Sequence, residues 1–130
     1  MASVQDFPVY AVLPCSDFAR ARAWYAEKLG LEPTEEMADN GWYRCGDGTW
    51  LLLTSTPNAG TARNTAAGFT VIGIEGVMEE LRAQGVEFLE YDMGEMGRTV
   101  DGLLAMGPYK AAWFNDSEGN IVELCEVVAG

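Results

Sequence analysis

Residues 5–54 and 66–128 read as one order of elements written twice: a strand, a helix, then about three strands, with a linker at 55–65. An apolar run at 7–14 reads as the first buried strand. Ser16 and Asp17 are helix-start residues, and Phe18, Ala21, Trp24, Tyr25 and Leu29 recur at helical spacing before Gly30, predicting a helix over 17–29. Strands follow at 31–37, 42–45 and 49–54, punctuated by Asn40-Gly41 and Gly46-Asp47-Gly48 as turns. The second half gives a strand at 67–72, a helix at 75–84 closed by Gly85, a strand at 86–89, an irregular stretch at 91–108, and strands at 110–115 and 121–128 around an Asp116–Gly119 turn. The helix ends match, Leu29-Gly30-Leu31 against Gln84-Gly85-Val86. A repeat of this size is a fold-level signal. It predicts an α+β fold in which two βαβββ repeats form a cupped, partly open mixed/antiparallel barrel with helices outside. The whole chain, 1–130, reads as one domain.

Charge and residue usage narrow the function. Twenty acidic residues against eight basic ones give a net charge of -12. That balance argues against nucleic acid and against an anionic membrane surface, since both need clustered Lys and Arg. It suits a solvated acidic surface, or a cationic ligand. Arg20 and Arg22 are read as lying on the solvated face of the first helix. The chain has no histidine, which removes the commonest metal ligand and general base and any Ser-His or Cys-His nucleophile. Three cysteines without a CxxC pair argue against a disulfide framework and for a reducing compartment. Residues 1–8 lack the pattern of a signal peptide, and no apolar run approaches the roughly 18 residues of a membrane span. These features predict a cytoplasmic location. The glycine-containing stretches at 46–48 and 94–97 do not match phosphate-binding motifs and read as turns.

Two motifs carry a resemblance. Val12-Leu13-Pro14-Cys15-Ser16-Asp17, with Ala23-Trp24-Tyr25 and Leu29-Gly30-Leu31, resembles the opening of glyoxalase, bleomycin-resistance and extradiol-dioxygenase proteins. Phe114 to Asn120, followed by Val122-Glu123-Leu124, resembles their closing hairpin, and Gly68-Phe69-Thr70-Val71 through Gly85-Val86 the start of their second repeat. The resemblance covers nearly the whole chain and implies the vicinal oxygen chelate fold. Its metalloenzymes hold a divalent ion on the first, fourth, fifth and eighth strands. The matching positions here are Tyr10, Trp50 or Leu52, Ala66, and Glu123, so one carboxylate stands where several ligands are needed. No metal site and no cofactor are therefore expected.

Glu123 lies in an apolar strand, where a carboxylate has to be paired or protonated. It is the candidate catalytic group, an acid–base or an anchor for a cation, held otherwise by an arginine or by tyrosine hydroxyls. Tyr10, Trp50 and Trp113 share its inferred inward face by strand alternation, and aromatic walls stack flat ligands and cations. Leu52, Thr70, Tyr91 and Met106 complete the candidate ligand-binding set. The long 91–108 stretch, with Met93, Met96 and Met106, suits a binding loop. By resemblance to bleomycin-resistance proteins, the expectation is a metal-independent small-molecule binding protein, a homodimer, that sequesters a cationic aromatic compound. The alternative is a glyoxalase-like lyase or isomerase, or another enzyme using Glu123 as acid–base, with or without a metal.

Overall fold

The computed structural model of the protein describes residues 3–127. In chain order the elements are β1 (Ala11–Cys15), α1 (Phe18–Trp24), β2 (Glu35–Met37), β3 (Asn40–Arg44), β4 (Trp50–Ser55), β5 (Thr65–Thr70), α2 (Ile74–Ala83), β6 (Leu104–Met106), β7 (Tyr109–Asn115) and β8 (Ile121–Val127). Val128, the last residue of the predicted final strand, lies outside the described residues. The repeat is exact in topology. The first sheet is ordered β1-β4-β3-β2 and the second β5-β8-β7-β6. In each, the strand before the helix pairs parallel with the last strand of its repeat, and the other pairs are antiparallel. β1 and β5 run beside each other where the sheets meet. The two mixed sheets do not close, which gives the expected cupped α+β fold.

One face of each sheet packs on the helices. Leu13, Cys15, Tyr43, Leu51 and Leu53 of the first sheet join Ala112, Phe114, Val122 and Leu124 of the second in one core with Ala21, Tyr25, Ile74, Met78 and Leu81 of the helical segments. Phe114 has no exposed surface and touches the rings of Trp24 and Phe88. Burying a side chain of that size stabilises the fold by about 1.5–3 kcal/mol.

Both helix starts are held by carboxylates from the second repeat. Glu118 accepts hydrogen bonds from the backbone N–H groups of Ser16 and Asp17, ahead of α1. Glu126 accepts from those of Gly73 and Ile74, at the start of α2. A negative group there satisfies donors that the helix leaves open and opposes its dipole. α1 continues into a wider turn at Tyr25–Leu29, and Gly30 ends it in the left-handed conformation at φ 68°. That matches the helix predicted over 17–29.

Several local expectations are corrected. Asn40-Gly41 is not the turn: the chain reverses at Ala38-Asp39, and Asn40 and Gly41 begin β3. Residues 86–89 form no strand; Phe88 makes a single bridge to Phe114. The missing strand is β6, inside the stretch read as irregular. β1 starts at Ala11, so residues 7–10 precede the strand. Arg20 and Arg22 are both paired rather than merely solvated, Arg20 with buried Glu118 and Arg22 with Glu36 and Glu32. Cys15, Cys45 and Cys125 are free thiols. Among the described residues no helix is long and apolar enough to cross a membrane.

Candidate functional site

The residues that alternate with the core positions face the concave side. On the first sheet these are Val12, Trp42, Trp50 and Leu52, with Tyr10 just ahead of β1; on the second they are Tyr109, Ala111, Trp113, Glu123 and Cys125. Cross-strand register fixes their neighbours. Leu52 stands between Val12 and Trp42, and Glu123 between Gly68 and Trp113.

Glu123 is half-buried, and its Oε1 accepts a hydrogen bond from the Tyr109 hydroxyl at 3.2 Å. Of the two ways of holding this carboxylate, the tyrosine hydroxyl is the one present. Val122 and Leu124 turn to the core on the opposite face, as alternation requires. Burial, and then the negative charge of Glu123, push the Tyr109 phenol up to about 12. Gly68 offers no side chain to cover the acid; a Cβ there would lie 3.6 Å from Glu123 Oε2.

A cavity of about 470 Å³ opens between the sheets near β1, β4 and β5, and Tyr10, Trp50, Gly68 and Thr70 are among its lining residues. The structure thus brings three of the expected binding residues together at one cavity, with Glu123 on the neighbouring strand. Trp113 is nearly buried, edge-on to Tyr91 at 5.4 Å, in a small apolar cluster on the second sheet with Leu104 and Ala111. Met106 lies on β6 opposite Tyr109 and is 41% exposed. Tyr91, Met106 and Trp113 belong to this second-sheet wall and do not line the 470 Å³ cavity. Two residues were not anticipated. Trp42 packs edge-on to Tyr10 and Trp50, and Glu35, its partner on β2, joins all three around a cavity of about 260 Å³.

The donor set does not fit the divalent ion of the related metalloenzymes. Ala66 falls in an irregularity of the β5–β8 pairing and has no donor side chain. Trp50 and Leu52 have none suited to a metal either. Among the described residues no group of three His, Cys, Asp or Glu side chains is placed to hold an ion.

Two βαβββ units with helices outside and a concave face lined by strand residues define the class of paired-repeat cups. The model of the Glyoxalase/Bleomycin resistance protein/Dioxygenase superfamily matches residues 8–124, and the chain belongs to that superfamily. Solved structures share the fold. A putative glyoxalase family protein from Bacillus anthracis is 20% identical, covering 93% of this chain and 96% of its own, with a TM-score of 0.68. A glyoxalase/bleomycin resistance protein from Catenulispora acidiphila is 22% identical over 93% of this chain and 98% of its own, with a TM-score of 0.67. A fosfomycin resistance protein from Listeria monocytogenes is 16% identical over 97% and 94%, also at 0.67. No curated protein matches the sequence.

Proposed function

We propose that the chain is a metal-independent small-molecule binding protein that sequesters a cationic, partly aromatic compound. The observation that carries this reading is the content of the cup. At the positions where related enzymes place metal ligands, this chain presents Tyr10 and Trp50 in the lining of a cavity of about 470 Å³, and Glu123 on the strand paired with its Gly68 edge. Aromatic and apolar walls with few polar groups are what ligand cavities use. A net charge of -12 favours the approach of a cation. The resistance proteins among the structural neighbours make an antibiotic a reasonable ligand class. Exposed Val4, Phe7 and Val9, 86%, 61% and 88% accessible, support a homodimer in which a second copy covers this edge. Sedimentation of the purified protein as a monomer would remove that part.

A panel of cationic aromatic antibiotics, read by tryptophan fluorescence and melting temperature, tests the reading. A ligand that binds the folded chain raises the melting temperature, and the rise continues with the logarithm of its concentration above Kd. No response across the panel overturns the sequestration reading, and a stoichiometric metal in the purified protein overturns metal independence.

A second reading rests on the Tyr109–Glu123 hydrogen bond of 3.2 Å. A carboxylate paired to a phenol on the concave face is suited to moving a proton on a small carbonyl or enol substrate. Under this reading Glu123→Gln abolishes turnover and leaves the fold intact.

A further inference from the structure

The concave face of the first sheet holds a second, smaller cavity that shares Tyr10 and Trp50 with the one of about 470 Å³. Tyr10, Trp42, Trp50 and Glu35 line a cavity of about 260 Å³. The rings stand at angles to one another: Tyr10 and Trp42 have centroids 4.8 Å apart with planes at 61°, and Trp42 and Trp50 are 6.2 Å apart at 84°. Rings set edge to face form walls rather than a stack, and ring faces carry negative potential. Glu35 is the direct cross-strand partner of Trp42, so its carboxylate enters on the same face. Arg44, the partner of Trp50, shares that face but does not line the cavity. Among the described residues the recorded cation over a ring is Arg82 on Phe88, elsewhere in the fold.

We propose that this corner is a cage for a compact organic cation, an alkylated ammonium group. Three aromatic walls and one carboxylate favour a charge that sheds its water easily and spreads over methyl groups. A metal ion finds only one hard ligand here, and a bare ammonium keeps its hydration. The proposal deepens the binding reading above by naming the ligand group that the first sheet takes, at residues separate from Glu123.

Choline is the probe and 3,3-dimethylbutan-1-ol its uncharged isostere, each titrated into the full chain by calorimetry and tryptophan fluorescence. Choline should bind saturably, at least about tenfold tighter than the isostere, since each desolvated cation–π contact contributes on that order. Trp42→Leu should weaken choline about tenfold. Glu35→Gln, at an exposed strand position, should weaken it severalfold without disturbing the fold and so guards against a misfolded tryptophan variant. Equal binding of choline and the isostere, no saturable binding, or unchanged affinity in Glu35→Gln overturns the assignment. Antibiotics that bind while choline does not would sink the cage and leave the sequestration reading standing. Choline bound through Glu35 with the antibiotic panel silent would do the reverse.

Discussion

Arg20 of α1 and Glu118 of the β7–β8 hairpin meet across the two repeats, with Nε 2.8 Å from Oε2 and Nη2 3.0 Å from Oε1. The pairing is lopsided in exposure. The arginine side chain is 52% exposed and the glutamate not at all. Glu118 also accepts from the N–H groups of Ser16 and Asp17 and from the Ser117 hydroxyl. One acid therefore ties the first helix to the closing hairpin of the second repeat.

Replacing Glu118 with Gln should destabilise the fold by about 2 kcal/mol or more, because the buried carboxylate shared by Arg20 and several donors becomes a neutral amide with one acceptor oxygen left. Burial alone would raise this carboxyl, but the Arg20 guanidinium, the neighbouring N–H groups and the Ser117 hydroxyl outweigh it and hold it at about 2. A depressed acid contributes stability above its unfolded value near 4.5 and loses it as pH falls toward 2. Urea denaturation should show the gap between wild type and variant at pH 7 closing below pH 4. A gap that stays constant down the acid range would contradict the assignment.

Tyr25 and Tyr43 are both buried core phenols, 6.0 Å apart between ring centroids, yet only one is satisfied. Tyr25 donates to Asp116 at 2.6 Å, and burial followed by that carboxylate pushes its phenol well above the usual range. The Tyr43 hydroxyl is buried with no partner among the described residues. Tyr25→Phe should therefore lose about 1.5–3 kcal/mol, while Tyr43→Phe should be neutral or gain up to about 1 kcal/mol. Thermal melts of the two variants side by side decide the matter; equal losses would contradict it.

Gly41 is fixed by packing. A Cβ there would lie 2.9 Å from the Phe18 ring, so Gly41→Ala forces that ring aside and should cost about 1–3 kcal/mol. Phe18→Leu in the same chain should restore part of the loss. Denaturation midpoints of the single and double variants measure the coupling.

The same glycine shows why the sequence was only partly legible. Asn40-Gly41 has turn composition, but Asn40 is there because its side-chain oxygen accepts from the Thr54 hydroxyl and the Ser55 N–H, and Gly41 because Phe18 covers it. The real turn uses Ala38 at φ 52°, which no composition rule favours. Helix ends were readable because Gly30 and Gly85 adopt left-handed conformations that act locally, at φ 68° and 91°. β6 was not, since three residues become a strand only through pairing with β7. The core face followed from alternation, and Glu123 from the resemblance of the closing hairpin together with alternation. Trp42 and Glu35 needed the hairpin register, which the misplaced turn concealed.

The phenol of Tyr109 on the concave face offers a titration that needs no ligand. Tyr109 sits at about 12, raised first by burial, then by the charge of Glu123 and by Cys125. A phenol raised in the folded state stabilises below its unfolded value of 10.0 and loses that contribution as pH climbs through 12. Glu123→Gln removes the negative neighbour, so the highest-pH tyrosine absorbance step outside the core should move down toward the ordinary range. Tyr109→Phe should delete that step. Following ultraviolet absorbance through the alkaline range in the three proteins tests the contact directly. If the step persists in Tyr109→Phe, or stays in place in Glu123→Gln, the phenol and the carboxylate are not the coupled pair that the 3.2 Å hydrogen bond describes.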